Sequence, residues 1–525
     1  MLNDVLGKYL DDLEEREFDA PFMALLRGMK YEDIHFLHGT FEFGKDFIAK
    51  RTDSGVTIQY AFQTKAGSID LGAWNKLRGQ IDLLRTNVLA HPNFDSGLPR
   101  RAVLVSTGRL VGGAPLAAQD YNNHLIGLGE IGFEVWDRET LLSFLETVPE
   151  VGLVGSVQAG FLGLIASIDM GQATDMDVEK YSRSWAKEDE SLWRSLVETA
   201  VIAQRLRNRD RLDLSCFTVM TATRAIWHQE HGVEPPSAES IIASDLARAM
   251  FLQYASSLRT ALEKTDFKPE MLIPTRDGPA AYVTYPVQCL RGAEMVALLG
   301  LLLMEDDKLE AEEITSQLCK FLSANPGVAH PISDRYAVSS IPIILLLSKF
   351  GRMAEVDTYV RAVAKWVADR YDNDSVGLAA WDASPQEEVN RLLGSCLEHI
   401  QLDRRPECYV ATVILDLLAI SGMGALYELA INDFLAVKAM FPTLEVGDGL
   451  SQYNLDGVDL RYEANAKYEV SWNPTDQWKV APHHHRSPSS YYLARISKLW
   501  DHLAVSAILR DRHFLPSCQQ ILSVS

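Results

Sequence analysis

An acidic residue and a polar-x-lysine pair lie where two neighbouring strands of a predicted hairpin would meet. Asp46 opens a short apolar run, and the alternating segment 56–65 ends with Gln63 and Lys65. Residues 52–55, Thr-Asp-Ser-Gly, separate the two runs and have the composition of a turn. The predicted hairpin therefore brings Asp46 beside Gln63 and Lys65.

These residue types suit the hydrolysis of a phosphodiester bond. Because side chains alternate along a strand, Gln63 and Lys65 share one face and Thr64 belongs to the other. We expect Asp46 to ligate a divalent cation, with the side-chain carbonyl of Gln63 completing the coordination. Lys65 would orient the attacking water or stabilise the charge that develops on the phosphate.

Asp46 followed by Gln63-Thr64-Lys65 on adjacent strands resembles the active-site motif of the PD-(D/E)XK nuclease superfamily, in its Mrr-like restriction endonuclease branch. In that branch glutamine commonly replaces the second acid. The flanking elements resemble the family's order over about residues 20–150. They are a helix at 21–29, a strand at 31–37, a helix at 71–88, a buried strand with its turn at 101–108, and a closing strand at 131–137 with a helix at 141–145.

The resemblance implies a restriction-endonuclease-like α/β domain, with a central mixed sheet flanked by helices. It also implies Mg²⁺ or Mn²⁺ as the cofactor, DNA as the substrate, and a role like that of nucleases in bacterial anti-phage defence. The predicted activity is that of a metal-dependent nuclease. The alternative is a non-catalytic adaptor with a degenerate nuclease fold that binds partner proteins or nucleic acid.

Two departures from the family pattern concern the metal ligands. Gln63 is neutral where an acid is more usual, and hard cations favour carboxylates. Glu42, four residues before Asp46, is predicted to supply the missing charge as an auxiliary acid. The first predicted helix, residues 21–29, lacks the metal-binding glutamate of many relatives. Substitutes for it lie just upstream, at Glu14, Glu15 and Glu17.

Four further side chains are candidates for contact with DNA. Gln80 lies in the predicted helix 71–88, where such nucleases often carry a glutamine. The others are basic: Lys45, Lys76 and Arg78. Residues 45–109 contain ten Lys or Arg against five Asp, although the whole chain has a net charge of −21. Phosphate contacts supply most non-specific affinity, so a basic stretch suits a nuclease. Scattered surface charge is the alternative interpretation.

Composition limits the class of protein. The chain of 525 residues has room for about three domains, and 47% hydrophobic with 23% charged residues is typical of a soluble globular protein. None of the six cysteines forms a C-x-x-C pair, which favours free thiols in a reducing cytoplasm. Residues 1–19 lack signal-peptide character, and the longest apolar runs, 295–304 and 341–347, are short for a membrane span. We expect a cytoplasmic chain without a membrane partner.

The predicted domains are a nuclease domain at 1–150, a linker at 151–180 and a helical region at 181–525. The helical region has a period near 3.6, which predicts helices at 188–207, 237–264, 285–304, 310–323, 337–349, 353–369, 385–401, 409–420 and 427–440. Residues 444–478 are expected to be irregular. The whole region is expected to be an all-α stack of helix pairs.

No catalytic constellation is found in the predicted helical region. We expect it to act as a sensor, scaffold or oligomerisation region that regulates the nuclease, possible partners being a regulatory protein or a second copy of the chain. Recognition of DNA or RNA is the alternative, and the acidity of the region favours the first interpretation because a DNA reader carries a basic face.

Overall fold

A computed structural model describes residues 2–13, 18–37, 46–53, 55–88, 91–147, 160–186, 192–229, 237–268, 279–304, 306–372, 375–381, 383–394, 402–445 and 461–464. The chain forms two compact units. The N-terminal unit comprises Met1–Ser167 and Glu190–Ile202, and the helical unit comprises Ile168–Asp189 and Ala203–Ser525.

The N-terminal unit is built on a mixed sheet. Its strands lie in chain order across the sheet: β1 (Glu32–Phe36), β2 (Phe47–Asp53), β3 (Val56–Lys65), β4 (Arg100–Ser106) and β5 (Phe133–Trp136). β2 is antiparallel to both β1 and β3, whereas β3, β4 and β5 run parallel to one another. A mixed α/β N-terminal region is thereby confirmed.

Helices cover both faces of this sheet. The described helices are α1 (Leu2–Asp12), α2 (Asp19–Gly28), α3 (Leu71–Thr86), α4 (Ala114–Gly127) and α5 (Arg138–Thr147). Ala61 of β3 belongs to a buried cluster with Trp74 and Ile81 of α3. The next residue, Phe62, contacts Phe22 of α2 on the other face, with ring centroids 5.3 Å apart. The predicted alternation along β3 is confirmed.

α3 shows why the local sequence folds as predicted. The Asp70 side chain caps the helix by accepting a hydrogen bond from the backbone N–H of Ala73 at 2.7 Å. Buried residues then recur at helical spacing along one face, at Trp74, Leu77, Ile81 and Leu84. The helix predicted at 71–88 is confirmed, and so are the strands and helices predicted around it.

α4 lies in a stretch for which the sequence predicts no element. It buries Ala114, Ala118 and Leu125, but its larger apolar residues Leu116 and Ile126 are exposed. The apolar pattern therefore does not mark the face that packs on the sheet.

The helical unit contains most of the remaining helices. α6 (Phe161–Asp169) and α8 (Leu192–Arg207) begin in the N-terminal unit and end in the helical unit. The others are α7 (Asp175–Ser182), α9 (Leu212–Gln229), α10 (Ala238–Lys264), α11 (Pro279–Leu303), α12 (Lys308–Ala324), α13 (Ser340–Lys349), α14 (Met353–Tyr371), α15 (Pro385–Leu393), α16 (Tyr409–Ile420) and α17 (Gly424–Ala436). A helical C-terminal region is thereby confirmed. The described part of the stretch expected as a linker carries α6 and the start of α7.

Two features of the helical unit differ from the expectation. α9 is not among the predicted helices, because residues 213–227 are all buried and show no polar face. The region is also not wholly α-helical. Strands β6 (Pro442–Glu445) and β7 (Arg461–Ala464) form a two-stranded antiparallel sheet. Strands of four residues are too short to show a clear period of two.

Buried charges join the helices of this unit. The guanidinium of Arg291 in α11 donates to Asp175 and to Glu294, each at 2.7 Å. The Ser339 hydroxyl donates to the same Glu294 oxygen at 2.7 Å. Arg291 and Glu294 are almost fully buried. A buried charge is tolerated only when it is paired, so this cluster fixes how α7 and α11 pack.

One segment among the described residues, Tyr282–Leu303 in α11, is long and apolar enough to span a membrane by length and composition. Of its 18-residue window, 83% is buried inside the protein. Counting uninterrupted apolar runs missed this segment, because Arg291 and Glu294 interrupt the run and pair with each other inside the protein.

Four cysteines in the described part of the chain are free thiols: Cys216, Cys289, Cys319 and Cys408. Burial raises the pKa of Cys289 to about 12 and that of Cys408 to about 12. These two thiols therefore stay protonated near neutral pH, which makes them poor nucleophiles. Cys396 and Cys518 lie outside the described residues.

Candidate active site

The predicted hairpin is present and sets the position of Asp46. β2 and β3 pair with Phe47 opposite Phe62, which places Asp46 opposite Gln63. The backbone N–H of Asp46 donates to the Phe62 carbonyl at 2.9 Å, and the Asp46 carbonyl accepts from the N–H of Leu37 at 2.8 Å. The backbone of Asp46 is therefore held by both neighbouring strands.

The carboxylate of Asp46 is the centre of the candidate site. Its Oδ2 atom accepts three hydrogen bonds from β3. The donors are Nε2 of Gln63 at 2.7 Å, the backbone N–H of Thr64 at 2.7 Å and the Thr64 hydroxyl at 2.8 Å. Asp46 and Gln63 are thus brought together as the sequence predicts.

Gln63 uses its amide nitrogen for the contact with Asp46. The side chain is 4% exposed, so its amide is held in place by its surroundings. Because Nε2 donates to Asp46, Oε1 is the atom of Gln63 that could ligate a cation. Coordination through the Gln63 carbonyl stays a prediction.

Thr64 is the member of the site that sequence reasoning missed. By strand alternation it shares the face of Phe62, away from Gln63, and it is 1% exposed. β2 begins at Phe47, directly after Asp46, and the backbone N–H of Thr64 donates to the Asp46 carboxylate beyond the last paired residues of the two strands. The available signal was a threonine that continues the buried strand face of Tyr60 and Phe62, because a buried hydroxyl needs a partner.

Lys65 ends β3 on the same strand face as Gln63 and lies opposite Ser106 of β4 in the parallel register. Its carbonyl accepts from the backbone N–H of Thr107 at 3.1 Å. The segments after the two strands are also joined, since the N–H of Gly67 donates to the Thr107 hydroxyl at 2.9 Å. The backbone at Lys65 is therefore fixed relative to β4.

Two glycines permit this geometry. Gly55, in the turn that joins β2 and β3, has a φ of +82°, a conformation that residues with a Cβ rarely adopt. A Cβ on Gly108 would lie 2.3 Å from the carbonyl carbon of Gly67 and 2.3 Å from the nitrogen of Ser68. Only glycine lets the two strand ends approach this closely.

The other predicted acidic ligands and one candidate for DNA contact, Lys45, lie outside the described residues. Glu42 and Lys45 belong to segment 38–45, and Glu14, Glu15 and Glu17 belong to segment 14–17. Within the described ranges, no group of three or more His, Cys, Asp or Glu side chains could hold a metal ion.

Asp46 and Gln63 nevertheless offer the right kind of donor for a hard cation. Mg²⁺ prefers oxygen ligands, and proteins often bind it through one or two carboxylates, with water and substrate phosphates filling the other positions. The oxygen atoms of these two side chains are therefore of the type that binds Mg²⁺ or Mn²⁺. Of the two side chains, Asp46 contributes one negative charge and Gln63 contributes none.

The candidates for DNA contact on α3 are exposed. Lys76, Arg78 and Gln80 lie on the side of the helix away from its buried residues. The guanidinium carbon of Arg78 lies 4.2 Å from the centroid of the Tyr121 ring, so this side chain is partly oriented by a cation–π contact. Contact of these three side chains with DNA stays a prediction.

The local excess of basic residues is smaller in the structure than in the sequence. Arg85 is 7% exposed and pairs with Glu130, and Arg109 pairs with Glu139. Lys50 pairs with Asp33 at 2.8 Å. The acids in these pairs lie outside residues 45–109, so the sequence count over that stretch did not include them.

Titratable groups elsewhere in the sheet have structural roles. Burial raises the pKa of Tyr31, whose ring packs 4.9 Å from Tyr60, so the phenol stays protonated. Burial lowers the pKa of Arg100. The Arg100 guanidinium donates to the carbonyls of Arg85 and Asn87 at the end of α3, each at 2.9 Å.

Comparisons with known proteins find no matching family model, no matching curated protein and no matching solved structure.

Proposed function

We propose that the chain is a metal-dependent nuclease of the PD-(D/E)XK type, in the Mrr-like branch, that hydrolyses phosphodiester bonds of DNA. In this proposal the mixed sheet of the N-terminal unit is a restriction-endonuclease-like core. The observation that carries the proposal is the 2.7 Å contact between Gln63 and the Asp46 carboxylate across the hairpin, with Lys65 two residues farther along β3.

Each residue of the site has a chemical role in this proposal. Asp46 and the Gln63 carbonyl would hold Mg²⁺ or Mn²⁺, with Glu42 as an auxiliary acid. The cation, when bound, would offset the negative charge of the phosphate and lower the pKa of a water molecule bound to it. Lys65 would orient the attacking water and stabilise the charge of the transition state through its ammonium group. Lys45, Lys76, Arg78 and Gln80 would contact the DNA.

The proposed setting is restriction or anti-phage defence in the cytoplasm. A nuclease without regulation would damage the DNA of its own cell. The helical unit would therefore restrain or assemble the nuclease, either through a regulatory protein or through association of two copies. Two active sites acting together would allow cleavage of both strands of a duplex.

A cleavage assay on the full chain tests the proposal. Supercoiled plasmid, linear duplex and single-stranded DNA are incubated with the protein, with and without Mg²⁺ or Mn²⁺. We expect metal-dependent cleavage that falls by at least about a hundredfold in Lys65→Ala, because a preorganised charge at the transition state is lost. Lys50→Ala is the matched control, since Lys50 lies in β2 of the same hairpin and pairs with Asp33 of β1. Retained cleavage in Lys65→Ala would exclude this active site.

The second candidate function is the non-catalytic adaptor. The observation that favours it is the neutral Gln63 beside a single described carboxylate, because a cation site usually has more negative charge. A melting temperature that is indifferent to Mg²⁺ and Mn²⁺, together with no cleavage of any substrate, would favour the adaptor.

A further inference from the structure

We propose that Thr64 is the positioning residue of the site, which orients the Asp46 carboxylate and thereby sets the affinity of the site for its cation. The inference rests on the proposed nuclease function for the identity of the ligand. It goes beyond the motif, in which the residue between Gln63 and Lys65 has no assigned role.

The geometry gives Thr64 two hydrogen bonds to the Asp46 carboxylate. Its backbone N–H and its hydroxyl both donate to Oδ2 of Asp46, at 2.7 and 2.8 Å. Gln63 donates to the same atom at 2.7 Å. Gln63 and Thr64 belong to opposite faces of β3, so they hold the oxygen from both sides of the strand edge.

Such contacts matter because the terminal torsion of an aspartate is soft. The χ2 angle of Asp has a broad distribution, so the backbone position of Asp46 does not by itself fix the plane of its carboxylate. Donors on Oδ2 fix that plane before a cation arrives. A ligand ordered in advance binds more tightly, because less freedom is lost on binding.

Because Thr64 is buried, its hydroxyl needs a hydrogen-bond partner within the protein, and that partner is Asp46. The side chain is 1% exposed and its hydroxyl donates to Asp46. Valine has nearly the same shape as threonine and lacks the hydroxyl, so Thr64→Val removes one donor and leaves the backbone N–H in place. Serine keeps the hydroxyl. The two substitutions therefore separate the hydrogen bond from the packing.

The main experiment measures cation affinity without requiring cleavage. The full-length protein, its Thr64→Val form and its Thr64→Ser form are titrated with Mn²⁺, and the rise in melting temperature is followed. We expect Thr64→Val to raise the Mn²⁺ concentration at half-maximal effect by about tenfold or more, because residues that orient metal ligands typically change affinity by about 10–100-fold. Thr64→Ser should stay within about threefold of the unsubstituted protein.

Thr57→Val is the matched control for losing a threonine hydroxyl on the same strand. Its hydroxyl lies 3.0 Å from that of Thr52 at the exposed end of the hairpin. We expect it to leave the Mn²⁺ midpoint unchanged. An unchanged midpoint in Thr64→Val would overturn the proposal, even if Lys65→Ala abolished cleavage and so supported the nuclease.

A second measurement works without any metal. In EDTA, the effect of Thr64→Val on the melting temperature is compared in the unsubstituted protein and in Asp46→Ala. We expect Thr64→Val to lower the melting temperature of the unsubstituted protein. It should change that of Asp46→Ala little, because there the Thr64 hydroxyl has already lost its acceptor. Equal falls in both backgrounds would overturn the orientation of Asp46 by Thr64. This measurement tests the orientation of Asp46 by itself. A protein that shows no response to Mn²⁺ would contradict both the nuclease function and the effect of Thr64 on cation affinity.

Discussion

The carboxylate of Asp46 lies at the end of a hairpin, and those of Glu294 and Asp175 lie inside the helical unit. Different kinds of hydrogen-bond donor hold the carboxylates of these two regions. Oδ2 of Asp46 accepts from an amide, a backbone N–H and a hydroxyl, and these three donors are neutral. Glu294 and Asp175 instead accept from the guanidinium of Arg291, each at 2.7 Å. Neutral donors orient a carboxylate and do not neutralise its charge. A guanidinium orients the carboxylate and also neutralises its charge.

Under the proposed function, this difference separates a site that binds a ligand from a cluster that stabilises packing. Arg291 and Glu294 are almost fully buried, and their charges are used within the protein. Asp46 is only half-buried, and the three donors from β3 orient its Oδ2 atom without carrying a positive charge themselves.

The largest effect is expected from breaking the buried cluster. Arg291→Ala leaves Glu294 and Asp175 without their guanidinium, and removing one partner of a buried ion pair destabilises a protein by about 3–5 kcal/mol. The loss is measured as a fall in the urea concentration at the midpoint of unfolding of the helical unit.

Arg361→Ala is the control for this prediction. Arg361 pairs with Asp357 one helical turn away at 2.7 Å, and both side chains are exposed. Exposed pairs within one helix contribute little to stability. If Arg291→Ala shifted the midpoint no more than Arg361→Ala does, the buried cluster would not be a major source of stability.

An intermediate effect is expected from removing one charge in each region while keeping the shape of the side chain. Asp46→Asn should abolish the rise in melting temperature on adding Mn²⁺, with a small change in its absence. Glu294→Gln should destabilise the protein by about 1–3 kcal/mol, because Arg291 loses a charged acceptor, and should keep the response to Mn²⁺. The comparison would be contradicted if Asp46→Asn kept the response to Mn²⁺ and Glu294→Gln abolished it.

The smallest effect is expected at a partly exposed ion pair. Arg205 donates to both oxygens of Asp169, at 2.9 and 2.8 Å, and these hydrogen bonds hold the pKa of Asp169 below its usual value. The ionised pair therefore stabilises the protein above the unfolded pKa of about 4, and this contribution is lost as the pH falls through the lowered folded pKa.

Asp169→Asn should consequently lower the melting temperature at pH 7 and have little effect at pH 3, where the contribution is already being lost. The difference at pH 7 should correspond to less than about 1 kcal/mol, because both side chains are about one-third exposed and solvent screens the pair. An equal difference at both pH values would show that the ionised pair is not its source.

Much of the N-terminal sheet can be predicted from local patterns. The alternation along β3, the turn before it and the capped helix α3 each depend on neighbouring residues. α4 and α9 cannot be predicted in this way. α4 exposes the apolar Leu116 and Ile126, and α9 is buried without a polar face, so neither helix shows the amphipathic period that marks a helix in a sequence.

The sequence by itself determined that Asp46 and Gln63 meet at one end of a hairpin, because strand period and turn composition are local properties. Only the tertiary structure decided that Thr64 also binds Asp46, and that Arg85 and Arg109 are paired with distant acids. Hydrogen bonds and ion pairs of this kind depend on the three-dimensional positions that separate segments of the chain take in the fold. No spacing along the sequence encodes that position, because it follows from how the strands and helices pack.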